Sequence, residues 1–161
     1  MTDERPRQSA VLLALDGEGR VLLVQQRGGP YKGAWLLPGG GLEEGESFEE
    51  ALRREVVEET CLEVTDPREI ARYDVHSTDP APFHFRVRMY RGDVSGEPRP
   101  GPDGEAVAWV RIDPASAHPV LLRQLRDADV MDLDHAEIEG RCAAMGIQVR
   151  GMALRDPARE R

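Results

Sequence analysis

The stretch Gly40–Leu62, which reads GGLEEGESFEEALRREVVEETCL, decides the fold expected for this chain. Ser47 is followed three residues later by Glu50, a capping-box pattern that predicts the start of a helix. Residues 47–60 contain neither glycine nor proline. We therefore predict one uninterrupted helix over this range.

Three glutamates of this helix fall where apolar side chains are expected. At about 100° per residue, Glu55, Glu58 and Glu59 lie at about 0°, −60° and 40° around the helix axis. The apolar side chains occupy an arc from about −60° to about 100° on the same scale; they belong to Phe48, Ala51, Leu52 and Val56. Carboxylates that face the protein repel one another unless a cation compensates them, and oxygen donors favour Mg²⁺ or Mn²⁺. The alternative is an acidic surface helix whose glutamates are paired by arginines from other strands.

The same stretch resembles the Nudix box. That family's pattern is a glycine, five residues, a glutamate, seven residues, and then Arg-Glu-apolar-any-Glu-Glu-any-Gly-apolar. The matching positions occur at the family's spacing and are Gly40, Glu46, Arg54, Glu55, Val56, Glu58, Glu59 and Leu62. The resemblance covers residues 9–127. It implies an α/β fold, the Nudix-type α/β/α sandwich around a mixed β-sheet.

The resemblance also implies an activity and a metal site. The activity would be Mg²⁺-dependent (or Mn²⁺-dependent) cleavage of the phosphoanhydride in a nucleoside diphosphate linked to another moiety, such as ADP-ribose or a nucleotide sugar. Glu55, Glu58 and Glu59 would ligate the metal together with the carbonyl of Gly39, and Arg54 would orient the carboxylates. The alternatives are a nucleoside triphosphate pyrophosphohydrolase for damaged nucleotides and a non-catalytic nucleotide-sensing module.

These residue types suit hydrolysis of a pyrophosphate bridge. Metal ions neutralise the phosphate oxygens, hold the phosphates in line and lower the pKa of a bound water. Three consecutive glycines, Gly39–Gly41, let the backbone approach such ions because no Cβ intrudes. One carboxylate must act as general base on the attacking water, and we assign that role to Glu58. The expected catalytic residues are therefore Glu58, Glu55 and Arg54.

Further site residues are candidates with an ordinary alternative. Glu105 precedes a predicted strand and is a candidate metal ligand, since some members of the family add a glutamate from a later loop or strand; a strand-end residue is the alternative. Arg27, at the end of the second predicted strand, and Arg86 and Arg88, on one face of a later strand, are candidates for substrate phosphate binding. A solvated face or a surface ion pair is the competing interpretation of these arginines.

One position departs from the family's pattern, because Cys61 stands where the second glycine is expected. A left-handed residue just past a helix costs a side chain with a Cβ about 1 kcal/mol. We therefore expect a reshaped or extended helix end at Cys61, with no metal ligand lost and an ordinary packing role for the thiol.

The rest of the chain alternates short apolar runs with turn-forming residues. We predict strands over 9–15, 20–26, 69–76, 83–90 and 106–110, and helices over 119–127 and 134–145, the second ending at Gly146. Residues 91–104 are expected to form a loop, and the last seven residues to be mobile. We predict a Nudix domain over 1–127, with 128–161 as an extension that packs on the same domain or in a homodimer contact.

Composition limits the partners. The chain has 161 residues, about the length of one domain, and a net charge of −9. That charge argues against binding nucleic acid or an anionic membrane through bulk charge, and an anionic substrate would need a divalent cation to neutralise the repulsion. The resemblance, rather than the charge, implies a small-molecule nucleotide as the partner. Two cysteines, no leader peptide and no long apolar run predict a cytoplasmic protein.

Overall fold

A computed structural model describes residues 5–77, 82–102 and 106–154. None of the helices in these ranges is long and apolar enough to cross a bilayer. In chain order the elements are β1 (Arg7–Leu13), β2 (Val21–Gln25), β3 (Trp35–Leu36), β4 (Gly39–Gly41), α1 (Phe48–Thr60), β5 (Glu63–Ser77), β6 (Phe83–Ser95), β7 (Val107–Val110), α2 (Pro119–Asp127), α3 (His135–Ala144) and β8 (Ile147–Ala153).

The strands form two sheets. The larger sheet has the order β4-β1-β6-β5-β8, and the smaller has the order β3-β2-β7. Strands β1 and β6 run parallel, whereas the other neighbours in both sheets are antiparallel. The larger sheet is therefore mixed, as the fold prediction requires.

Helices cover both faces of the larger sheet. Strand side chains alternate between faces, so Leu12 of β1 packs with Leu52 of α1, whereas Leu13 packs with Leu125 of α2 on the other side. Ile138 of α3 joins that second cluster. The predicted α/β/α sandwich is confirmed.

The capping box predicted for α1 is present. The Ser47 side chain accepts a hydrogen bond from the Glu50 backbone N–H at 3.1 Å, and the Glu50 carboxylate accepts one from the Ser47 N–H at 3.4 Å. Two backbone donors that the first turn cannot satisfy by itself are thus paired. The start of the helix that bears the three glutamates is thereby fixed.

The expectation for Cys61 is wrong. Cys61 ends α1 in the left-handed conformation, with φ 61° and ψ 20°, and its N–H donates to the Val57 carbonyl at 3.0 Å. The residue therefore adopts the backbone that a glycine would take there. The helix bond and the return of the chain into β5 outweigh the small cost of a Cβ. The thiol is exposed, so the expected packing role is not seen either.

We expect Cys61→Gly to raise the free energy of unfolding by about 0.5–1 kcal/mol, because glycine adopts a left-handed backbone without strain. No buried contact is lost, since the side chain is exposed. Urea unfolding measures the change. Cys61→Ala is the matched control and should leave stability within about 0.5 kcal/mol, because alanine keeps the Cβ. A glycine variant less stable than the alanine variant would contradict this explanation.

The predicted loop over 91–104 is wrong in its first part. Strand β6 continues to Ser95, where Glu63, Val64 and Thr65 of β5 pair with Ser95, Val94 and Asp93. Ladder hydrogen bonds to β5 and the packing of Val94 on the core beneath α1 outweigh the turn-forming composition.

Residues beyond 127 continue the same fold. Helix α3 packs on α2, and β8 adds an edge strand beside β5, with Tyr73 opposite Gly151. Strand β8 is absent from the sequence prediction. A Cβ at Gly151 would lie 2.5 Å from the Tyr73 ring, so this glycine serves packing and obscures the strand pattern. The division of the chain at residue 127 stays a prediction, and the predicted mobile end, 155–161, lies outside the described residues.

His118 gives the stability of the fold a pH dependence. Burial, aided by the charge of Arg141, lowers the pKa of His118 from 6.5 to about 4, while its Nδ1 caps α2 by accepting from the Val120 N–H at 3.2 Å. Between these two pH values, His118 is protonated in the unfolded chain but not in the folded chain. We therefore expect unfolding free energy to fall as pH drops from 6.5 to about 4, by about 1–2 kcal/mol given partial exposure.

His118→Asn tests this prediction, because asparagine caps a helix but does not titrate. Denaturation curves measured above and below this window should show a smaller loss of stability at low pH for the variant. Equal losses in both proteins would show that His118 is not the group responsible.

Candidate active site

The glycine segment β4 lies directly against the acidic part of α1. A Cβ added at Gly40 would sit 2.5 Å from the carboxyl carbon of Glu55, and the Gly39 N–H donates to the Glu59 carboxylate at 3.2 Å. At Gly39, φ is +150°, and a Cβ would lie 2.0 Å from the Ala10 carbonyl oxygen. Glycines are therefore required for this backbone to reach the carboxylates.

Arg54 connects the carboxylates. It binds both oxygens of Glu46, with Nε and Nη2 each at 2.8 Å, and its Nη1 donates to Glu55 at 2.9 Å and to Glu58 at 3.4 Å. Its Nη2 also donates to the Gly41 carbonyl at 3.0 Å. A single guanidinium thus ties the glycine segment to three glutamates, and the bidentate pair with Glu46 fixes its orientation.

The pKa values of Glu46 and Glu55, which both pair with Arg54, are shifted in opposite directions. Hydrogen bonds from Arg54 lower the pKa of Glu46 to about 2. Burial raises the pKa of Glu55 above its usual value, against the opposing effect of Arg54, and the nearby charge of Glu58 raises it further. One arginine therefore does not compensate the group, and the negative charge at Glu55 and Glu58 would be stabilised by a cation.

Glu58 is more exposed than the helical geometry predicts. Its side chain is 55% exposed, against 21% for Glu55, so the expectation that all three glutamates face the protein fails for Glu58. The buried stripe of α1 extends to Val56 and Thr60, which moves its centre away from Glu58. Glu58 thus lies at the rim of the site, open to solvent.

The residues present fit a divalent metal. Glu55, Glu58 and Glu59 offer hard oxygen donors within one helical turn, and a side chain at Gly40 would displace the Glu55 carboxylate. Burial disfavours the charged form of Glu55 and raises its pKa, and a bound cation would favour the charged form. Glu105, the additional candidate ligand, lies outside the described residues.

A cavity of about 240 Å³ opens beside the glycine segment. Its polar side chains include Gln26, Tyr31 and Gln124, and its apolar wall includes Leu36 and Phe85. The Tyr31 hydroxyl is buried without a hydrogen-bond partner among the described residues. A planar heterocycle with polar edges would match this combination of apolar walls and amide side chains.

The structure separates two of the three candidate phosphate-binding arginines from this cavity. Phe85 and Val87 of β6 face the cavity, whereas Arg86 and Arg88 point to the opposite face of the sheet. The Arg88 guanidinium lies 3.9 Å above the Phe48 ring. Arg27, in contrast, is exposed and follows Gln26, which lines the cavity.

Sequence reasoning missed the cavity side chains. Gln26, Tyr31 and Gln124 belong to no motif, and α2 brings Gln124 to the glycine segment from far along the chain. Glu46 matched the resemblance but received no role, although it anchors Arg54. The only sequence signal for that anchor is the fixed spacing between Glu46 and Arg54.

Comparison with known proteins defines the class. A sequence model described as the NUDIX domain matches residues 5–132. An ADP-ribose pyrophosphatase of Methanocaldococcus jannaschii is 32% identical over 105 residues, which cover 63% of this chain and 62% of that protein. A putative 8-oxo-dGTP diphosphatase of Bacillus subtilis is 43% identical over 89 residues, covering 55% and 54%. The matches therefore span less than two thirds of either relative.

A solved structure supports the same class. The MutT NUDIX hydrolase from Burkholderia pseudomallei superposes with a TM-score of 0.62 at 28% identity, covering 76% of this chain and 99% of that chain. The acidic helix, the glycine segment and the cavity of this chain therefore lie within a fold that the chain shares with that protein. The chain belongs to the Nudix family.

Proposed function

We propose that this protein is a Mg²⁺-dependent Nudix hydrolase that cleaves the phosphoanhydride of a nucleoside diphosphate linked to another moiety. The observation that carries the proposal is the contact between Gly40 and Glu55 inside an undercompensated set of carboxylates. A purely structural acidic helix would need no such backbone approach. Mn²⁺ would suit the same oxygen donors.

Glu55, Glu58 and Glu59 would hold the metal, with the Gly39 carbonyl as a further donor. When bound, the metal neutralises the bridging phosphates and makes an associated water more acidic. Arg54 holds Glu55 and Glu58 in place through Nη1 while Glu46 holds Arg54. These contacts would restrict the positions of Glu55 and Glu58 before substrate arrives.

Glu58 is the residue we assign as general base. Of Glu55, Glu58 and Glu59, it has the most exposed side chain. Its hydrogen bond to Arg54 is long, at 3.4 Å. A base must reach a water and accept its proton, which favours an exposed and weakly held carboxylate. Glu55, more buried and more closely paired, suits a fixed ligand instead.

The cavity would take the nucleoside. Its volume of about 240 Å³ suits one nucleoside and leaves the second moiety at the entrance. Gln26, Gln124 and the Tyr31 hydroxyl would bind the edges of the base, with the phosphates passing over Gly39–Gly41 toward the acidic helix. The similarity to an ADP-ribose pyrophosphatase supports ADP-ribose or a nucleotide sugar as the substrate class.

A second candidate is a nucleoside triphosphate pyrophosphohydrolase. The 43% identity to a putative 8-oxo-dGTP diphosphatase favours it, since the matched segment is more alike than that of the ADP-ribose relative. The same cavity and the same carboxylates would serve either reaction.

A substrate panel with Mg²⁺ tests the proposal. ADP-ribose and nucleotide sugars should be hydrolysed with higher kcat/KM than any nucleoside triphosphate, including oxidised ones, and chelation of the metal should abolish turnover. A preference for triphosphates would favour the nucleoside triphosphate pyrophosphohydrolase over the hydrolase of nucleoside diphosphate derivatives. Binding of nucleotides without hydrolysis of any of them would favour a non-catalytic sensing module.

A further inference from the structure

A second group of candidate metal-ligating side chains, apart from Glu55, Glu58 and Glu59, lies on the face of the larger sheet that bears Arg86 and Arg88. Asp74 and His76 belong to β5, and His84 of β6 is the register partner of His76. One donor atom from each of these three residues lies within 4.8 Å of the others. The cluster therefore comes from adjacent strands rather than from one flexible segment.

The donor atoms converge on one point. Nε2 of His76 is 2.6 Å and Nε2 of His84 is 2.5 Å from the same oxygen, Oδ1 of Asp74. The two imidazole rings are stacked, with centroids 3.9 Å apart and planes 23° apart. Donors around one zinc ion stand about 3–3.5 Å apart, given bonds of about 2.0–2.2 Å. Small side-chain rotations would therefore open this cluster enough to admit an ion.

We propose that Asp74, His76 and His84 form a binding site for a transition-metal cation, with zinc as the ion that the donors suit best. Two imidazole nitrogens and one carboxylate oxygen are ligands that zinc accepts, whereas Mg²⁺ prefers oxygen alone. The ion would bind each neutral imidazole through the Nε2 lone pair, in the tautomer that carries its one ring hydrogen on Nδ1. Three protein donors leave at least one position of the ion to water.

The surroundings allow a cation but weaken its binding. The Nε of Arg86 is 3.7 Å from Oδ2 of Asp74, so this arginine pairs with the other oxygen of the carboxylate whose Oδ1 contacts the histidines. Arg150 lies opposite Asp74 on β8, and Gln148 lies opposite His76. Positive charge from two arginines opposes an ion, whereas the net charge of −9 favours it. We therefore expect weaker binding than at a four-ligand structural zinc site.

This site is distinct from the carboxylate site of α1. In the sheet order β4-β1-β6-β5-β8, the glycine segment that contacts Glu55 forms one edge, and β5 lies three positions away. Glu55, Glu58 and Glu59 offer only oxygen donors. Magnesium at saturating concentration would therefore occupy the acidic site and leave the histidine cluster available to zinc.

Zinc titration by calorimetry in the presence of millimolar Mg²⁺ tests the proposal on the full chain. The wild type should bind one equivalent of zinc, and the double variant His76→Asn, His84→Asn should lose at least tenfold in affinity for that equivalent. Asp74→Asn, a single change that preserves shape, should also weaken binding. His135→Asn removes a half-buried histidine that pairs with Glu139 elsewhere in the fold, and it is the matched control.

Circular dichroism should show that all the variants remain folded, because the three side chains are 21–40% exposed. Two results would overturn the proposal: no zinc binding by the wild type under magnesium, or equal zinc affinity in the wild type and the double variant. If the double variant unfolds, Asp74→Asn decides the question. A zinc affinity of Asp74→Asn equal to that of the wild type would then overturn the proposal.

Discussion

Glu58→Gln will lower kcat by about 10²–10⁴-fold with ADP-ribose or whichever nucleotide the enzyme prefers. Glutamine keeps the size of the side chain but cannot accept a proton from water, and its neutral amide is a poor ligand for a hard cation. The measurement is steady-state hydrolysis at saturating Mg²⁺. Because Glu58 is 55% exposed and only loosely held by Arg54, the variant should fold like the wild type.

Glu49→Gln is the matched control for Glu58→Gln. Glu49 lies on the same helix, is exposed, and pairs with Arg53 at 3.2 Å, away from the glycine segment. Loss of this surface pair should change stability by no more than about 0.5 kcal/mol and leave kcat unchanged. If the kcat of Glu58→Gln lies within about twofold of that of the control, Glu58 is not the general base. Loss of a general base should lower kcat by about 10²-fold or more.

Gly40→Ala will reduce kcat by about 10²-fold although no ionisable group is changed. The new Cβ would lie 2.5 Å from the Glu55 carboxyl carbon and 2.8 Å from both of its oxygens, so the carboxylate must move. Gly40 does not have positive φ, so alanine adds no backbone strain there. The loss should therefore appear in hydrolysis and in Mg²⁺ affinity, with thermal stability close to that of the wild type.

Gly41→Ala tests whether position, rather than any added methyl group, is responsible for the loss at Gly40. At Gly41 a Cβ would meet only the Gln8 carbonyl oxygen, at an ordinary 3.7 Å. We expect a loss of activity at least tenfold smaller than for Gly40→Ala. Equal losses in the two variants would mean that the close approach of Gly40 to Glu55 has no special role.

The sequence is most informative where a physical requirement is local. Ser47 and Glu50 predict the helix start because a capping box is a short-range pattern. The spacing between Glu46 and Arg54 likewise brings the Glu46 carboxylate next to the Arg54 guanidinium. The helical wheel of α1 correctly turns Glu55 inward. It misplaces Glu58, because Val56 and Thr60 shift the buried stripe through contacts that no local pattern reveals.

The remaining features depend on tertiary contacts. Cys61 takes a left-handed backbone because the chain must turn into β5, and Ser95 is in a strand because β5 supplies hydrogen bonds. Gln124 reaches the cavity only after α2 has packed on the sheet. The Asp74–His84 contact likewise depends on strand register, which period-two alternation alone does not set.

The central claim is that Glu55, Glu58 and Glu59 together bind divalent metal beside the glycine segment. Anomalous X-ray scattering from crystals soaked in Mn²⁺ tests it most directly. We predict a peak within about 2–2.5 Å of oxygens from these carboxylates, with Arg54 retained on Glu46. A crystal with no peak there, in which Arg54 still joins Glu55 to Glu58, would contradict the account.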